Sequence, residues 1–264
     1  MHRSGTTLLS RLLSELGVHM GDKKERNQES TCFQYVNEQM LRATGGSWLN
    51  PLPFIEALND PSFVRDMVAL ARTELDRRMS EYGRVGKGQL WGWKDPRTTL
   101  TLPIWLELFP DARVIHMRRN GIDVALSLRR RAWRQFLRPM RSDIERLFPV
   151  GALLRGFGLW KLYHRQALTY TDLLGERILD LHYETLVSTA SEQIYLISGF
   201  LGILGELEHG VVATAESLVH VPNKRTLFER FLLSVLSRAK LLAEPTDAAL
   251  ISSHSRGKLV SGTD

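Results

Sequence analysis

Leucine recurs near the start of the chain with helical spacing: Leu8, Leu9, Leu12, Leu13 and Leu16 fall on one stripe, which predicts a helix that Gly17 ends. Asp22 to Ser30 is polar and reads as a loop, and Phe33 to Ala43 recovers helical spacing. Gly45, Gly46, Pro51 and Pro53 mark a turn-rich connection, and Pro61 opens a helix that runs to Arg78. After the breaker cluster Gly83 to Gly88, Leu90 to Lys94 is a short strand candidate. Leu102 to Leu108 reads as a helix and Phe109-Pro110-Asp111 as a turn. Ala112 to Met117, short, apolar and flanked by charge, is the clearest strand. Helices follow over Asp123 to Ala132, Leu153 to Leu174 and Ser191 to Leu201, with a further strand over Arg177 to Leu181. Alternating strands and helices imply an α/β fold: a parallel sheet with helices on both faces.

The 264 residues suffice for one large domain, expected over residues 1–251, with a polar, mobile tail over residues 252–264. Apolar residues make up 43% and charged residues 24%, which excludes a disordered chain. The net charge of +6 suits an anionic substrate. The basic residues are spread out and no nucleic-acid-binding module is present, so no nucleic-acid partner is expected. A single cysteine, Cys32, excludes an internal disulfide and fits a reducing compartment. No transmembrane segment and no signal peptide are expected, which makes the cytoplasm the simplest location.

The opening Arg3-Ser4-Gly5-Thr6-Thr7-Leu8-Leu9 runs a small glycine-containing turn into a helix. Exposed backbone N–H groups and the helix dipole make such a junction an anion site. Arg3 adds a fixed charge, and Ser4, Thr6 and Thr7 add hydroxyl donors. The bland alternative is a helix start capped by Thr6 or Thr7. The Gly-Lys pair of the nucleotide-triphosphate loop is absent, which disfavours a magnesium-dependent kinase. A second phosphate motif lies at the clearest strand: Arg119 follows its C-terminal end, and Ser127 stands eight positions later on the next helix. A guanidinium fork and a hydroxyl can hold one phosphate from two sides. Arg118 is an alternative to Arg119. Between the motifs, Trp91-Gly92-Trp93-Lys94-Asp95-Pro96-Arg97 places a lysine at the same ligand edge. Arg97 suits a phosphate, an acidic acceptor or an ion pair with Asp95. No histidine pair shows metal spacing, and no metal is expected.

Arg-Ser-Gly-Thr-Thr-Leu-Leu resembles the 5′-phosphosulfate loop of sulfotransferases that use 3′-phosphoadenosine 5′-phosphosulfate (PAPS). Arg119 with Ser127 resembles the family's 3′-phosphate site. The Lys-Asp-Pro run looks closest to the branch of tyrosylprotein sulfotransferases and many bacterial members. Asp180-Leu181-His182-Tyr183-Glu184-Thr185-Leu186 resembles the family's Tyr-Glu-x-Leu segment, read as architectural. The resemblance covers roughly residues 1 to 205. It implies a P-loop sulfotransferase fold, with PAPS as co-substrate and transfer of a sulfuryl group to an acceptor hydroxyl or amine. Arg3, Ser4, Gly5, Thr6, Thr7, Arg119 and Ser127 would hold the donor, and Lys94 and Arg3 would act on the transferring group. The family carries a strand just before the loop, whereas this sequence opens at the loop itself, so the first strand is expected to be missing from the chain, through a misplaced start, a fragment or a sheet without that strand. The histidine that cytosolic members place two residues after the lysine is replaced by Pro96, which implies a carboxylate base. Glu29 is preferred over Glu25, because it leads into the helix carrying Phe33, Tyr35 and Asn37, expected to frame an acceptor pocket. The alternative for Glu29 is a solvated loop carboxylate. The acceptor is open: a small molecule, glycan, lipid or peptide, with Glu25 to Trp48 and Arg131 to Ser142 as pocket walls. A non-catalytic PAPS- or anion-binding relative is the competing reading.

Overall fold

The computed structural model describes residues 1–136, 149–206, 209–219, 233–234 and 237. In chain order it forms α1 (Thr6–Glu15), α2 (Thr31–Arg42), α3 (Leu52–Ala57), α4 (Pro61–Tyr82), α5 (Thr98–Leu108) and β1 (Val114–Arg118). Then come α6 (Gly121–Phe136), α7 (Pro149–Leu168), α8 (Thr171–Leu174), β2 (Ile178–His182), α9 (Tyr183–Ser188), α10 (Ala190–Leu201) and α11 (His209–Ser217). Packing groups these into two compact units: Met1–Arg119 with Gly175–Val221, and Asn120–Leu174 with Pro222–Asp264. The expected tail over residues 252–264 lies outside the described residues.

In the first unit β1 and β2 pair in parallel, with Val114 opposite Ile178 and Arg118 opposite His182. The mixed α/β class with a parallel sheet is therefore as the sequence implies. Period-2 alternation sends Ile115, Met117, Leu179 and Leu181 to one face, where they meet Leu9, Leu12 and Leu16 of α1. Leu186 of α9, Ile194 and Ile197 of α10, and Val212 and Ala215 of α11 complete this core. All five leucines of the predicted α1 stripe join it, Leu8 and Leu13 at its margin. Each fully buried leucine contributes roughly 1.5–3 kcal/mol. On the opposite face, His116 Nδ1 lies 2.7 Å from Asp180 Oδ1, a cross-strand pair at one register position.

Helices α2, α4 and α5 enclose an aromatic cluster. Phe33 stacks on Trp93 with ring centroids 4.1 Å apart, and Trp105, Tyr82 and Phe109 close around them. The predicted strand Leu90 to Lys94 is not formed: His19 and Trp91 make an isolated parallel bridge, with the His19 N–H donating to the Leu90 carbonyl and the Gly92 N–H to the His19 carbonyl. Tyr82 reinforces this link, its hydroxyl lying 2.8 Å from the His19 carbonyl and 2.7 Å from that of Gly92. The segment leading to Lys94 is thus held by one bridge and one hydroxyl. Helix α5 starts four residues earlier than its apolar pattern indicates, because Thr98 to Thr101 form its polar first turn.

The second unit is built on α6 and α7. Val124, Ala125 and Leu126 are buried, as are Leu153, Phe157 and Trp160. Gly121 is required by close approach: a Cβ there would stand 2.5 Å from the Trp160 ring. The expected helix over Leu153 to Leu174 divides at Thr169–Tyr170 into α7 and α8.

Tyr82→Phe keeps the ring but removes the hydroxyl shared by His19 and Gly92. It should destabilise the protein by about 1 kcal/mol, seen as a melting temperature lower by roughly 2–4 °C with unchanged far-UV dichroism. A melting curve identical to wild type would show that the hydroxyl does not hold the Leu90–Lys94 segment.

Candidate functional site

The loop before α1 is shaped by two left-handed residues, Arg3 (φ 71°) and Gly5 (φ 93°). Gly5 caps α1, its carbonyl accepting from the N–H groups of Leu8 (2.9 Å) and Leu9 (3.2 Å). No side chain caps the helix, so neither Thr6 nor Thr7 is the capping residue. The N–H groups of Thr6 and Thr7 have no intrahelical acceptor and join the positive end of the helix dipole, the arrangement that binds anions. Gly5 is obligatory on two counts: its φ is positive, and a Cβ would lie 2.3 Å from Cδ2 of Tyr183. The Thr7 hydroxyl donates to the Asn27 carbonyl at 3.1 Å. A hydroxyl has one proton, so in this arrangement Thr7 offers an anion its backbone N–H rather than its side chain.

Arg119 reaches this loop. Its Nη1 donates to the Arg3 carbonyl at 3.1 Å, and its guanidinium lies 4.2 Å above the Tyr183 ring. Its Nε is buried without a hydrogen-bond partner. Strand β1 delivers Arg119 to the sheet's C-terminal edge, and α1 presents the loop there. Ser4 is buried beside them in the loop. Ser127 stands on α6 in the second unit.

The second cluster is charged and enclosed. Lys94 Nζ donates to Glu29 Oε1 at 3.1 Å, the lysine side chain 10% exposed and the glutamate 5%. Glu29 is therefore a buried carboxylate, not a solvated one, and Glu25, whose side chain is exposed, contributes to this turn through its backbone N–H on the Glu29 carbonyl. Arg97 Nη2 lies 3.7 Å from Glu29 Oε2 and 3.4 Å from Glu38 Oε1, and its Nη1 donates to Asp95 Oδ2 at 3.2 Å. The Arg97 N–H also donates to Asp95 Oδ1 at 2.9 Å. Asn37 donates to Asp95 Oδ2 at 2.9 Å and accepts from Thr101 Oγ1 at 2.6 Å and Trp105 Nε1 at 2.8 Å. Asn37 and Phe33 are fully buried, Asn37 within this cluster and Phe33 against Trp93. Tyr35 packs under Arg78, whose guanidinium is 3.5 Å from its ring.

Burial lowers Lys94 below the ordinary lysine range, and its bond to Glu29 opposes that. Burial also pushes the Asp95 carboxyl up to about 6, while Arg97 and Asn37 pull it down. Among the described residues, no group of three or more His, Cys, Asp or Glu is placed to hold a metal ion, and no helix is long and apolar enough to cross a membrane.

Asn37, Glu38 and Tyr183 are the site residues that the sequence reading assigned to other roles or passed over. Asn37 had a signal: it sits on the buried stripe of α2 with Phe33, Val36, Met40 and Leu41, where an unpaired amide would be costly. Tyr183 lay in the Tyr-Glu-x-Leu segment read as architectural, and Glu38 had no signal, since its partner Arg97 is distant in sequence.

The raised Asp95 carboxyl gives a signed pH effect. A group whose folded-state pKa exceeds its unfolded value of 3.8 binds a proton on folding. Its contribution is present below about pH 4 and is lost as pH rises through about 6. Urea midpoints of wild type should therefore fall relative to those of Asp95→Asn between these pH values; parallel profiles would show that Asp95 titrates normally in the fold.

Compared with known proteins, the chain matches the family model described as Sulfotransferase family over residues 1–204. No curated protein and no solved structure matches it. The match spans the anion-binding loop, Arg119 at the edge of the parallel sheet and the Lys94–Glu29 pair. It covers more than three quarters of the sequence, and on that ground the chain belongs to the sulfotransferase family.

Proposed function

We propose that this protein transfers a sulfuryl group from PAPS to an acceptor hydroxyl or amine without a metal ion, with Glu29 as general base. One observation carries the reading: Arg119 bonds to the Arg3 carbonyl, so two phosphate motifs more than a hundred residues apart meet in space. The residues fit the donor. The open N–H groups of α1 and the Arg3 side chain suit a 5′-phosphosulfate. Arg119, with an unpartnered buried Nε, suits a 3′-phosphate, and Ser127 is the hydroxyl assigned to help it. The donor supplies the electrophilic sulfur and a phosphate leaving group.

The chain's own residues supply position and charge. Sulfuryl transfer builds negative charge on the equatorial and leaving oxygens, which Lys94 and Arg3 are suited to stabilise. Glu29 accepts the proton of the acceptor hydroxyl or amine as its oxygen or nitrogen bonds to sulfur. The Lys94 ammonium, 3.1 Å from Glu29 Oε1, holds the carboxylate in place until the acceptor arrives. The absent Gly-Lys pair supports this over metal-dependent phosphoryl transfer. The reading places the enzyme in the cytoplasm, where a lone buried Cys32 stays reduced.

Adenosine 3′,5′-bisphosphate should bind far better than adenosine 5′-monophosphate, and Arg119→Ala should remove most of that preference. A charge-assisted contact contributes on the order of 1.5–3 kcal/mol, or roughly ten- to a hundredfold in affinity by calorimetry. Equal affinity for the two nucleotides would remove the 3′-phosphate site.

Lys94→Ala and Glu29→Gln should lower kcat, the latter by ~10²–10⁴, while bisphosphate affinity stays within a few-fold, the mark of contacts made in the transition state. Arg3→Ala should weaken donor binding as well as turnover. The assay is sulfate transfer from labelled donor to an acceptor found by pool screening. Near-full kcat in Glu29→Gln would place the base elsewhere, and donor binding without turnover on any acceptor would favour a non-catalytic relative.

A further inference from the structure

One ammonium meets two demands at Lys94. In this structure it donates to Glu29 Oε1, yet the proposed reaction needs it at the sulfuryl oxygens. Once it turns to the donor, Glu29 is a carboxylate at 4% exposure that has lost its hydrogen-bonded cation. An uncompensated buried charge is costly, so a second, fixed cation has to remain beside it.

Arg97 meets that requirement. Its Nη2 lies 3.7 Å from Glu29 Oε2, on the carboxylate oxygen that Lys94 does not use. A guanidinium stays charged when buried. Its fork is also anchored: Asp95 binds both its Nη1 and its backbone N–H, and Asn37 fixes Asp95 from the other side. Lys94 is instead paired with Glu29 alone among the described ion pairs. Glu38 shares Nη2 with Glu29, at 3.4 Å, and so divides the charge that Glu29 receives.

We propose, building on the reading of Glu29 as base, that Arg97 is a positioning residue that keeps Glu29 ionised and aimed while Lys94 turns to the donor, with Glu38 as the competing carboxylate. Among the described residues, Lys94 and Arg97 are in contact with Glu29, Asp95 and Glu38 lie behind Arg97, and the buried Met1 amino group interacts with Lys94 and Asp95. The hydrogen bonds of Asp95 to Arg97 and Asn37 do not involve Lys94.

The test follows the Glu29 carboxyl by carbon-13 NMR in full-length protein labelled at glutamate Cδ, with and without adenosine 3′,5′-bisphosphate. The resonance is assigned by its loss in Glu29→Gln. Arg97→Gln should raise the Glu29 titration midpoint by about one pH unit or more, and Arg97→Lys should recover part of the shift. Glu38→Gln should move the midpoint down. Glu38 is partly exposed, so this variant keeps the test intact should Arg97→Gln fail to fold. Bisphosphate affinity should stay within about threefold throughout, a range that a lost charge-assisted contact would exceed. Midpoints unmoved in the Arg97 and Glu38 variants would overturn the proposal. So would a tenfold or greater loss of bisphosphate binding in Arg97→Lys, which would make Arg97 a phosphate ligand. Turnover retained by Glu29→Gln would remove the base and with it the role of Arg97 in the reaction; the NMR midpoints separate that failure from a failure of the Arg97–Glu29 contact.

Discussion

A guanidinium at 4% exposure must be surrounded by carboxylates, and that constraint organises the first unit around Arg97. Asp95 comes from the same turn, Glu38 from α2 and Glu29 from the loop before α2. The carboxylates in turn need donors, which draws in Lys94 and Asn37, and through Asn37 the α5 residues Thr101 and Trp105. Removing one member of such a network leaves an uncompensated buried charge, typically a cost of about 3–5 kcal/mol. The network therefore locks the Glu29 loop, α2, α5 and the Lys94 segment into one arrangement, while Phe33, Trp93 and Trp105 shield it from water.

The anion loop obeys a different constraint, one of backbone geometry. Gly5 at φ 93° turns the chain into α1 with its first N–H groups open, and the Tyr183 ring fills the space a Cβ would take. The same ring carries the Arg119 guanidinium. Tyr183 thus ties α9 to both phosphate motifs. A hydrogen bond from the Thr7 hydroxyl to the Asn27 carbonyl, two residues before Glu29, links the loop before α1 to the loop that carries Glu29. The backbone at the start of α1 and the loop carrying Glu29 are thereby tied to each other.

Local patterning made the main helices legible. The leucine stripe of α1 joins the core as its spacing indicates, and the strand at Val114–Arg118 differs from the expected span by no more than two residues at either end. Patterning failed where the fold supplied the partner. Leu90 to Lys94 has the composition of a strand, but only the His19–Trp91 bridge forms, so it remains mostly irregular. The short helices α3 and α9 were unmarked, one amid proline and the other after β2, because two turns give too little periodicity to register.

By itself the sequence displayed the residue types in play: the Arg3–Thr7 loop, Arg119, Lys94, and Pro96 where cytosolic members of the family carry a histidine. It preferred Glu29 to Glu25 for its place just before α2, and left Arg97 among a phosphate, an acidic acceptor and an ion pair. Only the tertiary structure decided the surroundings of these groups. It buries Glu29 against Lys94 and leaves Glu25 exposed, and it surrounds Arg97 with three carboxylates. The physical reason is that a charge's role depends on its desolvation and its partners. Glu29 and Lys94 lie 65 positions apart, and no local pattern encodes a distance that only folding closes to 3.1 Å.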